Sequence, residues 1–119
     1  MVGIDLPIVT HPLQAFVSEP MKPLIHTTIS SANLHVYVYQ TDRGELVIGG
    51  PVDDYPTYSH RSTLPMLQDL ATFALELIPC LRGVNILRQW TGLCDMTPDY
   101  APIIGKVDGL DGFILNCGW

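Results

Sequence analysis

The sequence predicts an α+β fold: a mainly antiparallel sheet with one long amphipathic helix packed on it. Three observations carry that prediction. Segments rich in β-branched and aromatic residues follow one another through residues 14–50. Apolar residues recur at helical spacing over one stretch, from Leu67 to Ile78. Strand and helix do not alternate regularly, so a parallel sheet with crossover helices is not expected and a complete dinucleotide-binding unit is absent.

The elements run in order along the chain. Gln14–Glu19 alternates weakly and reads as a strand closed by Pro20 and Pro23, because proline cannot donate to a ladder. Leu24–Ile29 reads as a second, β-branched strand. Asn33–Gln40 reads as a third, with Val36 and Val38 on one face and Tyr37 and Tyr39 on the other. Thr41-Asp42-Arg43-Gly44 is a turn in which Gly44 is free to take positive φ. Glu45–Gly50 returns as the partner strand of a hairpin. Residues 51–61 are a loop rich in Asp, Pro and Tyr. Thr63 then stands where a helix cap belongs, with Pro65 in the first turn and Pro79 ending the helix. Leu67, Leu70, Ala71, Ala74, Leu77 and Ile78 form its apolar stripe. Val84–Trp90 and Gly112–Cys117 read as further strands. No internal repeat or low-complexity tract appears.

Composition narrows the function classes. At 119 residues a single domain with a real core is expected. Charged residues are 15% of the chain and mean hydropathy is +0.24, so apolar surface is expected to be exposed. The net charge is −6. The basic residues Lys22, Arg43, Arg61, Arg82, Arg88 and Lys106 are scattered and form no stripe, which argues against nucleic-acid binding. Cys80, Cys94 and Cys117 give an odd count without a C-x-x-C motif. A reducing, cytoplasmic setting with buried thiols is the expectation. No run of about 18 apolar residues is present, so no membrane-spanning helix is expected. No Ser/His/Asp arrangement, H-E-x-x-H or phosphate loop appears either. Asp53 and Asp54 near His60 lack convergent ligand geometry, so no metal site is expected. His60-Arg61 could attract a carboxylate or simply belong to a solvated loop.

The C-terminal third carries the most specific pattern. Thr97-Pro98-Asp99 is a turn, followed by Pro102-Ile103-Ile104-Gly105, which reads as a buried strand ending in glycine. Leu115-Asn116-Cys117-Gly118-Trp119 comes last. The hairpin ending in Gly49-Gly50, the helix, Arg88-Gln89-Trp90-Thr91-Gly92-Leu93 and Thr97-Pro98-Asp99 run in an order that resembles the D-amino-acid-oxidase-like flavoproteins. Leu6-Pro7-Ile8, residues 13–19, Lys22-Pro23, residues 58–61 and residues 115–119 resemble, within that family, the β subunits of heterotetrameric sarcosine oxidases. The resemblance covers nearly the whole chain. It rests on the order of motifs that are individually weak.

The resemblance, and not composition or spacing, implies an activity. Such a subunit joins an FAD-binding domain to a substrate domain built on an antiparallel sheet. It oxidises sarcosine to an imine with hydride transfer to FAD, yielding glycine, a one-carbon unit passed to tetrahydrofolate or released as formaldehyde, and hydrogen peroxide. Its complex also holds an FMN, attached to a histidine that lies outside these residues, so His11, His26, His35 and His60 are not assigned that role. Other subunits are the expected partners, with no nucleic acid and no membrane. Residues 1–96 would be the substrate-domain portion and residues 97–119 the start of the return to the FAD domain. The chain is expected to be an interior piece, inactive alone. The alternatives are a sister enzyme acting on proline, dimethylglycine or another secondary amine, and a standalone α+β binding or assembly module.

The residue roles implied by the resemblance are few. Tyr37 stands near the position of an active-site tyrosine in related amine oxidases; on the residues alone it is a tyrosine packed on a sheet. A one-residue slip through the Thr41–Gly44 turn would reverse its face, and Tyr39, on the same face, would be reversed with it. Gly92 falls where monomeric relatives carry the cysteine linked to FAD, so the flavin would be held noncovalently. Cys94 lies two residues off that position and reads as a buried thiol. Thr97, Pro98, Asp99 and Gly118 would approach the flavin, although turn chemistry alone accounts for Asp99. Trp90 and Met96 are expected in the core or at a domain contact.

Overall fold

The computed structural model describes residues 2–119. A five-stranded antiparallel sheet dominates it. Its strands are β1 (Val9–Pro20), β2 (Ile29–Ser31), β3 (Val36–Gln40), β4 (Glu45–Val52) and β5 (Ile86–Met96), in the spatial order β2-β3-β4-β1-β5. Helix α1 (Leu64–Leu77) covers one face. A second, two-stranded sheet pairs β6 (Ile103–Lys106) with β7 (Ile114–Cys117).

The core forms because the strands alternate. Phe16, Val36, Val38, Leu46 and Ile48 point to one face and meet Leu70 and Ala74 of α1. Phe73 and Leu75 pack beside them, which widens the helix's apolar stripe beyond the predicted set. The helix starts one residue after Thr63, yet the Thr63 hydroxyl does not cap it. The capping partner comes from β1 instead. The Thr63 backbone N–H donates to Gln14 Oε1 at 2.9 Å. The Thr63 hydroxyl accepts from Gln14 Nε2 at 3.3 Å.

Three expectations about strands need correction. β1 begins at Val9, well before Gln14, and runs through Pro12. Proline is tolerated because its carbonyl, and therefore its missing N–H, faces the chain after β4, where Asp53 N–H donates to Pro12 O at 2.9 Å. Leu24–Ile29 is not a strand; only Ile29 enters β2. A side chain replaces the ladder there. Gln40 Oε1 accepts from the N–H groups of Leu24 and Ile25 at 2.7 and 3.1 Å. Gln40 Nε2 donates to Lys22 O and Gly44 O at 3.1 and 2.9 Å. The loop thus satisfies its backbone and drops Ile25 into the core. Finally, β6 is not a buried strand, since Ile104 is 61% exposed.

The Thr41–Gly44 turn forms as expected, with Gly44 at φ 100°. The thiols are less buried than expected. All three cysteines are free; Cys80 is exposed and the other two are half-buried. Cys80 sits in the 3₁₀ turn Pro79–Leu81, whose inward position is taken by Leu81.

Candidate functional site

The face of the sheet opposite α1 carries no covering element among the described residues. Register places one row of residues across it. Tyr37 pairs with Gly49, Gly49 with Ala15, and Ala15 with Trp90. The row therefore reads large, small, small, large across β3, β4, β1 and β5. Strands lie about 4.8 Å apart, so Tyr37 and Trp90 stand about 14 Å apart at the backbone. Gly49 and Ala15 form the floor of a trough between them, and both are buried.

The next row is Tyr39, Val47, Val17 and Arg88. These residues, with Trp90, line a cavity of about 490 Å³. Arg88 brings a guanidinium to that end of the trough, with no acidic side chain in ion-pair range among the described residues. Arg43, by contrast, reaches Glu45 at 4.0 Å. Gly92 lies two residues beyond Trp90 on the same face, where an added Cβ would meet nothing within 4 Å.

Tyr37 lies flat over β4. A Cβ added to Gly49 would strike the Tyr37 hydroxyl and ring. Its ring stacks beside that of Tyr39, with centroids 6.5 Å apart and planes 13° from parallel. Burial of the phenol, and to a lesser degree the charge of Tyr39 when ionised, push the Tyr37 pKa above 10.0. At neutral pH the hydroxyl keeps its proton and can both donate and accept a hydrogen bond.

The other predicted residues gather at the end of β5. Thr97 is buried, and its hydroxyl donates to Ala101 O at 2.8 Å. It also lies 3.3 Å from Asp99 Oδ1, which accepts from Ala101 N–H at 3.2 Å. Pro98 is exposed at the tip of this turn. Gly118 has φ 77°, and a side chain there would run into Thr97 Cγ2. The structure thus brings Thr97, Asp99 and Gly118 together and leaves Tyr37 on the sheet, with Gly92 on the strand between. Trp90 is 39% exposed on the open face and is not a core residue, contrary to one of the two expectations for it. Met96 is half-buried. His60 and Arg61 are both exposed in the loop before α1.

Two features were not singled out from sequence. Gly49 lacked a role because its meaning depends on the strand opposite it. Gln14 looked like an ordinary strand residue. It is fully buried and links three segments. Its amide donates to both Asp53 carboxylate oxygens at 3.0 Å, and its carbonyl also accepts from Gln89 Nε2 at 2.9 Å. A polar residue between apolar ones at an inward position was the available signal. Among the described residues no three His, Cys, Asp or Glu side chains converge as a metal site. No described helix is long and apolar enough to cross a membrane.

The described residues thus form an α+β unit: an antiparallel sheet backed on one face by a helix, with aromatic residues on the other. The chain belongs to the FAD dependent oxidoreductase (DAO) family, whose model matches residues 1–119. It is similar to the sarcosine oxidase subunit beta of Rhodobacter capsulatus, at 42% identity over all of this chain and 28% of that protein. The sarcosine oxidase subunit beta of Rhizobium meliloti is 43% identical, again over 100% of this chain and 28% of its own length. Among solved structures, L-proline dehydrogenase from P. horikoshii superposes with a TM-score of 0.90 at 28% identity, covering 98% of this chain and 32% of that one. The chain therefore spans under a third of the length of these relatives.

Proposed function

We propose that this chain is the substrate-facing portion of an FAD-dependent amine oxidoreductase of the sarcosine oxidase β-subunit type. The observation that carries the reading is the row Tyr37–Gly49–Ala15–Trp90. It sets two small residues between two aromatic ones on the face away from α1, beside the cavity of about 490 Å³ lined by Tyr39, Val17, Arg88 and Trp90. FAD suits this face because no described element covers it and Gly92 leaves open space on it. Gly92, the Thr97-Pro98-Asp99 turn and Gly118 are the residues proposed to border the flavin. Gly92 offers no side chain for a covalent link, so the cofactor would be held noncovalently. When bound, FAD supplies the acceptor for the hydride leaving the substrate carbon next to nitrogen.

The chain's own residues supply binding and orientation. Tyr37 presents a neutral hydroxyl able to hydrogen-bond a carboxylate or an amine. Trp90 and Tyr39 exclude water from the edges of the trough. Arg88 adds positive charge that favours an anionic amino acid over a simple amine. By analogy with the β subunits, the full protein would turn sarcosine into glycine and a one-carbon unit, with hydrogen peroxide as the reduced oxygen product. Other subunits, an FMN attached outside these residues, and tetrahydrofolate as one-carbon acceptor belong to the same proposal. Three free cysteines fit a cytoplasmic setting. The second reading, oxidation of proline or another secondary amine, is favoured by the structural likeness to L-proline dehydrogenase.

The test is anaerobic flavin bleaching in the protein expressed from its full reading frame. Sarcosine should bleach the flavin faster than proline, dimethylglycine or glycine. Faster bleaching by proline would replace the main reading with the second. Bleaching by none of them would overturn both.

A further inference from the structure

Gly49 and Gly50 are neighbours in β4, yet their missing side chains answer to different surroundings. A Cβ on Gly50 would sit 2.5 Å from both His35 O and Leu70 Cδ2, on the helix side of the sheet. That glycine serves the core. Gly49 points to the open face, where the three atoms nearest an added Cβ all belong to the Tyr37 ring and hydroxyl; the ring's Cε1 would stand 2.8 Å from the added carbon. Directly opposed residues in an antiparallel pair have Cβ atoms about 4.5–5.5 Å apart and normally stand side by side. Without a Cβ at Gly49 the Tyr37 ring instead folds down across β4. Its hydroxyl comes to rest over Gly49 on the neighbouring strand.

We infer that Gly49 is a positioning residue for the proposed amine oxidation: its missing side chain lets the Tyr37 ring lie across β4 and fixes the Tyr37 hydroxyl over the trough floor. This rests on the reading that the open face receives the substrate. A methyl group at Gly49 would lift the ring and carry the hydroxyl away from the floor. The displaced atoms are the far end of a flexible side chain, so the ring can yield without moving the backbone. The loss should appear in the chemistry and leave the fold intact. A displacement of about 1 Å at a reacting centre is enough to cost on the order of 100-fold in rate.

The experiment uses the full-length flavoprotein with the variants Gly49→Ala, Tyr37→Phe, Tyr37→Ala and the Gly49→Ala/Tyr37→Ala pair. Flavin content, thermal midpoint, and kcat and KM for the best amine are measured. The phenol of Tyr37 is titrated separately by NMR with ring-labelled tyrosine. Gly49→Ala should keep its flavin and thermal midpoint and lose roughly ten- to a hundredfold in kcat/KM. Adding Gly49→Ala to Tyr37→Ala should change nothing further, because the ring it displaces is gone. The Tyr37 phenol in Gly49→Ala should titrate closer to 10.0, as its burial is relieved. Wild-type kcat/KM in Gly49→Ala, or an equal loss in both backgrounds, would overturn the inference. If Gly49→Ala fails to fold, Tyr37→Phe decides: a tenfold or larger loss upholds the role of a placed hydroxyl, and unchanged kcat/KM sinks it. Should the wild-type protein oxidise no amine, the functional reading fails by itself, while the titration still reports whether Gly49 sets the position of Tyr37.

Discussion

The two faces of the five-stranded sheet use the same strands for opposite ends. On the α1 side, β3 and β4 contribute Val36, Val38, Leu46 and Ile48, all almost fully buried against Leu70 and Ala74. On the other side the same strands contribute Tyr37, Tyr39, Val47 and Gly49, next to Ala15, Trp90 and Arg88. Branched aliphatic chains interlock and exclude water; they leave no room for a ligand. The open face mixes aromatic walls with two side-chain-poor positions, so it holds a trough in place of a core. The contrast shows that period-two alternation separates, within single strands, the side chains that pack against α1 from those left on the uncovered face proposed for recognition. Substitutions on the first face should cost folding, and those on the second should cost function.

The largest expected effect lies on the core face. Leu70 is fully buried, so Leu70→Ala should destabilise the protein by about 2–5 kcal/mol, read by urea denaturation. A loss well under that range would mean the helix is not the principal cover of that face. Gln14→Ala comes next. It strands the Asp53 carboxylate, the Thr63 N–H and the Gln89 amide, and an unpartnered buried polar group costs about 1–3 kcal/mol. The cost should exceed that of Thr63→Ala, which removes only the 3.3 Å bond to Gln14.

The adjacent glycines sharpen the comparison further. Gly50→Ala drives a methyl against the rigid His35 carbonyl and should cost about 1–3 kcal/mol, as overpacked cores do. Gly49→Ala meets only the yielding tip of Tyr37 and should leave the denaturation midpoint nearly unchanged. Equal costs at the two positions would break the division between faces. The smallest effect is on pH dependence. Because the folded protein holds the Tyr37 proton more tightly than the unfolded chain does, stability is unaffected below pH 10.0 and declines as pH rises from there through the raised pKa. Tyr37→Phe should remove that part of the alkaline decline in a pH series of denaturation curves.

Much of this was legible in the residues. The Val36/Val38 and Tyr37/Tyr39 alternation gave both faces of β3, and the stripe from Leu67 to Ile78 gave α1. The order of motifs over nearly the whole chain, from Leu6 through Gly49-Gly50 and Arg88–Asp99 to Trp119, led to the family. Leu24–Ile29 misled because β-branched composition speaks of strand preference and is silent about a distant Gln40 able to satisfy the same backbone groups. Thr63 looked like its own cap, but Gln14, far away in sequence, takes the N–H. Gly49-Gly50 looked like the end of a hairpin strand, and no local pattern could tell the two glycines apart.

The sequence by itself determined the periodicities: which residues alternate, where the helix runs, where prolines and glycines permit turns, and which family the motif order matches. Those are short-range properties, set by side-chain direction and backbone freedom within a few residues. The tertiary structure alone decided which partners stand across the sheet. Strand order and register put Ala15 and Trp90 in line with Tyr37, buried Gln14 against Thr63 and Asp53, and laid the Tyr37 ring in the space left by Gly49. These are contacts between residues distant in sequence, and their register depends on how all five strands pack together against the helix.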